Sequence, residues 1–290
     1  MVAVCLAVHE PDAELLAGQL ASLDAQTDRH WLLVREDDEA GIGPYHAFER
    51  CLSRVPGHAD LIAPCDQDDV WHPDKLATLV AAMAPGVTLA FSDLRIVDRA
   101  GTVLSPTYWT NRDNGFDDLG DLLATNTVTG AASLLRRDVL DVALPFPAAL
   151  DGSFHDHWLA LCALALGDLA YVDRALVDYV QHGANVVGHA ERRRRSERSS
   201  RESWRVRAAR DRERHILRPK LMARTLLERC GDRMTEPKRR CAEAVARGDE
   251  GWRALAAIAG RAAREQARPR RTLEAHRRAL RGALWRRGRI

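Results

Sequence analysis

The segment Leu61-Ile62-Ala63-Pro64-Cys65-Asp66-Gln67-Asp68-Asp69-Val70-Trp71 places three carboxylates within four residues, directly after a short apolar run. Such a run reads as a buried strand. Ligands of open α/β sheets sit just beyond the carboxyl ends of the strands, where these acids stand. Like charges this close repel unless a cation or water separates them. A hard divalent ion such as Mg²⁺ or Mn²⁺, shared between one or two carboxylates and substrate phosphates, would relieve that repulsion. An isolated pair of this kind is more often a solvated acidic turn that caps the next helix, here one starting near Pro73.

The elements that must position these acids are legible around them. The chain opens with an apolar strand over residues 2–8, followed by a helical pattern in which Leu15, Leu16, Leu20 and Leu23 share one face. A second strand begins at Trp31 and runs into Arg35-Glu36-Asp37-Asp38-Glu39, and the strand leading to Asp66 is the third. Acids at the ends of successive strands in a β-α-β series converge on one edge of the sheet. Further strands are expected over residues 88–92, 132–135, 169–172 and 176–179, with helices over 73–83 and 156–166. Residues 105–117, polar and rich in Asn and Asp, read as a mobile loop.

The 290 residues suit one large domain, or one domain with an appendage; 46% hydrophobic and 29% charged residues are ordinary for a globular protein. The net charge of +2 hides a split: 11 Lys/Arg against 28 Asp/Glu through residue 190, and 32 against 13 from residue 191 onward. This asymmetry predicts an acidic α/β domain over 1–190 and an arginine-rich helical region over 191–290. Residues 191–213 read as a solvated helix or a linker, and 216–227, 242–246 and 252–263 as helices. Leu273, Leu280 and Leu284 form an apolar stripe among arginines, and Pro219, Pro237 and Pro269 punctuate the region. The six cysteines show no metal-ligand spacing and read as buried thiols of a reducing cytosol. No signal peptide and no membrane-spanning run is evident, so the expected location is cytoplasmic.

Several segments in series resemble glycosyltransferase family 2, and most closely its bacterial rhamnosyltransferase-like branch. They are Val4-Cys5-Leu6-Ala7-Val8-His9-Glu10-Pro11, Gln19-Leu20-Ala21-Ser22-Leu23, Gln26-Thr27, Asp37-Asp38 and Asp66-Gln67-Asp68-Asp69-Val70-Trp71. The series continues with Phe91-Ser92-Asp93, Asn126-Thr127-Val128-Thr129-Gly130-Ala131, His155-Asp156-His157-Trp158 and Gln181-His182-Gly183-Ala184-Asn185. The resemblance implies a GT-A fold, a Rossmann-like mixed central sheet flanked by helices, and a metal-dependent, inverting sugar transfer from a nucleoside diphosphate sugar. It implies Asp68 as a metal ligand, with Asp66 on the metal or the donor ribose. Val8, His9, Glu10 and Gln67 would line the nucleotide pocket, and Asp37 or Asp38 would meet the base. Asp156 takes the place of the catalytic base, with Trp158 and His155 beside the sugar or acceptor. Thr129 and Gly130 border the acceptor pocket in this reading, although a tight turn explains them equally well. The chain departs from the pattern in carrying Glu39 where Gly is common and His9-Glu10-Pro11 in place of Tyr-Asn. His182 has three readings: completing the metal shell, meeting phosphate, or closing a loop. Asp156 also suits the cap of the helix that follows it.

Two other functions compete. A nucleotidyltransferase would need a Gly-rich phosphate loop after the first strand, and His9-Glu10-Pro11-Asp12 is not one. A nucleic-acid binder would use the basic C-terminal region, which lacks zinc-finger spacing and a stacking platform. That region suits an anionic membrane surface, placing the protein peripherally at its inner face near a lipid-linked or glycan acceptor. Packing against the acidic domain or a second subunit is the alternative.

Overall fold

The computed structural model describes residues 1–108, 118–150, 153–182 and 213–247. Its centre is a mixed sheet in the order β2-β1-β3-β7-β5-β8-β4, with β6 paired to β5. The strands are β1 (Val2–Val8), β2 (Trp31–Asp37), β3 (Leu61–Cys65), β4 (Val70–Trp71), β5 (Val87–Val97), β6 (Val103–Ser105), β7 (Ser133–Arg136) and β8 (Asp168–Val180). β1 runs parallel to both β2 and β3, and β5 parallel to β8. β7 is antiparallel to both of its neighbours. The architecture is therefore α/β, a mixed sheet flanked by helices.

Helices cover both faces, which is why β1 and β3 read as continuous apolar runs rather than alternating ones. On one face α1 (Ala13–Asp24) and α3 (Lys75–Ala81) bury Leu23, Leu76 and Leu79 against Val4, Leu6, Ala63 and Leu134. On the other, α2 (Pro44–Ser53), α4 (Leu119–Ala124), α5 (Leu140–Ala143) and α6 (His155–Leu166) pack against Cys5, Ile62, Leu89 and Leu135. α1 begins where the Asp12 carboxylate accepts hydrogen bonds from the Glu14 and Leu15 amides, at 3.1 and 3.3 Å.

The expected strands over 169–172 and 176–179 are one strand, β8. Its register against β5 passes from Ser92–Val172 to Asp93–Ala175 in one step, so Asp173 and Arg174 bulge into solvent without ending the pairing. α2 escaped the sequence reading, yet its signal was present: Gly43 takes a left-handed φ of +82° and Pro44 opens the first turn.

The basic region contributes α7 (Arg218–Cys230) and α8 (Glu236–Ala246). Pro219 and Pro237 lie in the first turns of these helices, where a missing N–H costs nothing. Met222, Ala223, Leu226 and Cys230 join the core that holds Trp158 and Leu161. The Arg229 Nη1 donates to the Val142 and Ala143 carbonyls at 2.8 and 3.1 Å, and Lys238 Nζ to the Gly167 carbonyl at 2.7 Å. These helices thus pack on the acidic part rather than standing off it. The expectations for 109–117, 191–212 and 252–290, the C-terminal stripe and Pro269 among them, lie outside the described residues. Cys5, Cys51, Cys65, Cys162 and Cys230 are buried free thiols and Cys241 is half-buried. Among the described residues no helix is long and apolar enough to cross a membrane.

At the edge formed by β5, β8 and β4, Asp178 accepts from His72 Nε2 at 2.8 Å and from Arg95 Nη2 at 2.8 Å. Burial pushes the Asp178 carboxyl up, but the hydrogen bonds and charges of His72 and Arg95 outweigh it and bring it to about 2. A carboxylate depressed in the folded state stabilises fully above its unfolded pKa near ~4, and that contribution is lost as pH falls toward the folded value. Urea midpoints are therefore expected to drop between about pH 4 and 2, and Asp178→Asn to flatten that part of the profile.

Candidate functional site

β1, β2 and β3 end side by side, with Val8 opposite Asp37 and Leu6 opposite Cys65, so the segments that follow them meet at one edge. Gln67 fastens two of these segments. Its Oε1 accepts from the His9 amide and its Nε2 donates to the His9 carbonyl, each at 2.8 Å. Gln67 therefore reaches the nucleotide-pocket loop of the sequence reading as a backbone clamp. Glu10, next to it, holds a left-handed φ of +40°, uncommon for a residue with a Cβ.

The paired acids after β2 are engaged by the protein itself. Asp38 is buried and accepts from the Ile42 and Gly43 amides at 2.9 and 3.0 Å, and its carbonyl meets His9 Nδ1 at 2.8 Å. The Ile42 amide, assisted by Gly43 and the His9 imidazole, holds the Asp38 carboxyl below the usual range against the effect of burial. Asp37 forms a forked ion pair with Arg35, with Nη2 to Oδ1 at 2.7 Å and Nε to Oδ2 at 3.0 Å. In this geometry Asp38 shapes the turn leading into α2, and Asp37 is paired with Arg35.

The acidic loop behaves differently. Asp68 Oδ2 accepts from His182 Nε2 at 2.7 Å, although the two residues are 114 positions apart. His182 follows β8, whose pairing with β4 lays it over the loop. Burial, together with the charges of Asp68 and Asp156, pushes the Asp66 carboxyl up to about 7. Asp156, at the start of α6, is therefore close enough for its charge to act on Asp66. Asp69 is buried; burial and the charges of Asp66 and Asp68 push its carboxyl up, and the Val180 amide and Lys75 act the other way from β8 and α3. Lys75 is wholly buried, its Nζ 2.9 Å from the centre of the buried Trp71 ring. Among the described residues no group of three His, Cys, Asp or Glu side chains is arranged as a ready metal shell.

Asp156 is not the cap of α6: that position is Phe154, which offers no side-chain hydrogen bond. Asp156 lies in the first turn, where an anion is favoured, and its Oδ1 accepts from the His157 amide at 2.5 Å. His155 is buried and stacked on Phe48 with ring centres 3.7 Å apart. Burial pushes its imidazole down to about 3, so the ring is neutral. The stacking joins the start of α6 to α2. Trp158 likewise departs from the expected sugar wall: it is in the core, its indole N–H donating to the Ala143 carbonyl at 2.9 Å.

Thr129 starts a short 3-10 turn, and Gly130 lies within it. A Cβ on Gly130 would stand 2.6 Å from His155 Nε2 and 3.4 Å from Asp156 Cβ, so glycine is required by a close approach to the start of α6. Gly130→Ala is expected to displace His155 and Asp156. Overpacking of this kind costs about 1–3 kcal/mol, readable as a lower urea midpoint.

Sequence reading assigned no role to Asp93 beyond its motif. Its buried carboxylate accepts from the Leu94 amide at 2.7 Å, the Tyr108 amide at 3.3 Å and the Thr107 hydroxyl. It thus anchors the chain that enters residues 109–117 beside Tyr179, whose ring meets Tyr108 edge-on at 5.7 Å. The signal was an acid inside an otherwise apolar strand, which must find donors.

No protein-family model matches this chain, and no curated protein matches it. Among solved structures it is similar to the crystal structure of S. aureus TarS 1-349. The TM-score is 0.54 at 13% identity, covering 99% of this chain and 91% of that one. The same TarS fragment in complex with UDP gives a TM-score of 0.51 at 12% identity, again over 99% and 91% of the two chains. At such identities the likeness is one of fold, and it extends over almost the whole length of both chains.

Proposed function

We propose that this chain is a metal-dependent glycosyltransferase of the GT-A type, moving a sugar from a nucleoside diphosphate sugar to a hydroxyl of a glycan or lipid-linked acceptor. The observation that carries the reading is the meeting of Asp66, Asp68 and His182 at the carboxyl ends of the strands, with the charge of Asp156 bearing on Asp66. The fold shared with a protein solved in complex with UDP supports a nucleoside diphosphate as donor handle. The order of motifs favours the rhamnosyltransferase-like branch of family 2.

The donor set fits a divalent cation. Carboxylate and imidazole suit Mg²⁺ or Mn²⁺, and buried acids that push one another upward form a site that gains from added positive charge. Asp68 and Asp66 would hold the ion, with His182 completing the shell once released from Asp68. When bound, the ion supplies positive charge to the leaving diphosphate. The other roles belong to the chain. Asp156 accepts the proton of the acceptor hydroxyl as its oxygen attacks the anomeric carbon. The bond from that carbon to the diphosphate oxygen breaks, and its electron pair leaves with the diphosphate. A single displacement of this kind inverts the anomeric centre. Gln67, by fixing the His9 backbone, keeps the nucleotide side of the cleft in register with the acidic loop.

The excess of Arg from residue 191 onward favours a peripheral site at an anionic membrane surface, where a lipid-linked acceptor is found. A thermal-shift screen of nucleoside diphosphates with and without Mn²⁺ tests the central reading. Stabilisation by a diphosphate only when Mn²⁺ is present supports it, and indifference to every nucleotide and metal would remove it.

A further inference from the structure

Gln19, Ser22 and Gln26 are buried, although all three are polar. Their spacing of three and then four residues sets them in one row along α1 and just past its C-terminal end. Buried polar groups cost stability unless they are hydrogen-bonded, and here the partners flank the acidic loop on both sides. Before the loop, Gln19 Nε2 donates to Cys65 Sγ at 3.0 Å, at the end of β3. After it, the Ser22 hydroxyl accepts from the Trp71 amide at 3.1 Å. Gln26 Nε2 donates to the His72 carbonyl at 2.9 Å, and Gln26 Oε1 accepts from the Leu76 amide at 3.1 Å. The Thr27 amide adds a bond to the Pro73 carbonyl at 2.8 Å. β4 is a two-residue strand with β8 as its strand neighbour. Successive amides of a strand point to opposite sides. The His72 amide therefore meets the Leu176 carbonyl of β8 at 3.0 Å, and the Trp71 amide is left for Ser22.

We propose that Ser22 and Gln26 are positioning residues for the cation site: by fastening the chain that leaves the acidic loop to α1, they hold Asp66 and Asp68 in place for a divalent ion. The inference rests on the reading of Asp66, Asp68 and His182 as that site. Hydrogen bonds behind a set of ligands raise affinity because the ion then meets groups that are already placed. Leu23, their neighbour on α1, is buried in the apolar core and directs no backbone group of the loop. Hydrogen bonds, by contrast, have a preferred distance and angle. Gln67 and His182 hold the loop from the sides of β1 and β8, and α1 holds both of its ends.

The test is Mn²⁺ binding in the presence of UDP, followed by electron paramagnetic resonance on the full chain, well below the unfolding temperature of each variant. Ser22→Ala removes the acceptor of the Trp71 amide and is expected to weaken Mn²⁺ binding by the folded protein on the order of tenfold. Gln26→Met keeps the length of the side chain without its bonds to His72 and Leu76, and a loss of the same order is expected. Leu23→Ala is the control for lost packing on the same helix. It is expected to lower the unfolding temperature at least as far, and to leave Mn²⁺ affinity within about twofold of wild type. Wild-type affinity in Ser22→Ala, or an equal loss in Leu23→Ala, overturns the proposal. Should Ser22→Ala not fold, Ser22→Cys, close in size and with sulfur as a weak acceptor, carries the same test with the same two outcomes. Wild type that binds no Mn²⁺ with UDP removes the cation site itself, a result distinct from an unchanged Ser22→Ala.

Discussion

Asp68→Asn is expected to abolish sugar transfer and metal-dependent binding of the donor diphosphate while leaving the fold intact. The substitution keeps the side-chain shape and removes one unit of charge. At about 4 Å and an effective dielectric near 20, one pair of unit charges interacts by roughly 4 kcal/mol, about three orders of magnitude in binding. Asp68 bonds His182 within the protein, and an asparagine retains an oxygen for that contact, so the unfolding temperature is expected to move little. Turnover of a nucleoside diphosphate sugar, measured beside thermal unfolding, checks both halves. Full turnover in the variant would contradict the assignment of Asp68.

Asp156→Asn is expected to separate chemistry from binding. A general base acts on the acceptor hydroxyl and not on the donor diphosphate. Transfer should fall by about 10²-fold or more while diphosphate affinity stays within about twofold of wild type. A structural role is the competing account, and it has a distinct signature. The Asp156 Oδ1 accepts from the His157 amide, and asparagine can accept there too, so stability should change little. Loss of transfer in step with loss of stability would assign Asp156 to the start of α6 alone.

The series of strands and acids was legible because each strand is an apolar run ended by charge, and parallel neighbours bring those ends together. What periodicity cannot convey is which donor an acid will find. Asp37 and Asp38 read alike as a pair, but Arg35 captures one and the amides of Ile42 and Gly43 the other. The family resemblance placed Trp158 beside the sugar or acceptor. Its partner is the Ala143 carbonyl, and the α7 helix that covers it lies far along the chain. The charge split suggested a separate basic unit, yet Met222, Leu226 and Cys230 carry an apolar stripe into the common core. The pairing of Asp68 with His182 depends on β8 returning beside β4, a long-range contact with no local signal. Lys75 was hidden in the same way: a lysine at a helix start reads as exposed, and only the packing of Trp71 and α3 buries it.

The most direct measurement is a calorimetric titration of UDP into the wild-type protein, first with Mn²⁺ and then with the metal chelated by EDTA. If Asp66, Asp68 and His182 form a cation site that receives a diphosphate, UDP binds with Mn²⁺ and its heat disappears with EDTA. The same loss is expected with Asp68→Asn in the presence of Mn²⁺. UDP binding of equal strength with and without metal, unaltered by Asp68→Asn, would contradict the account.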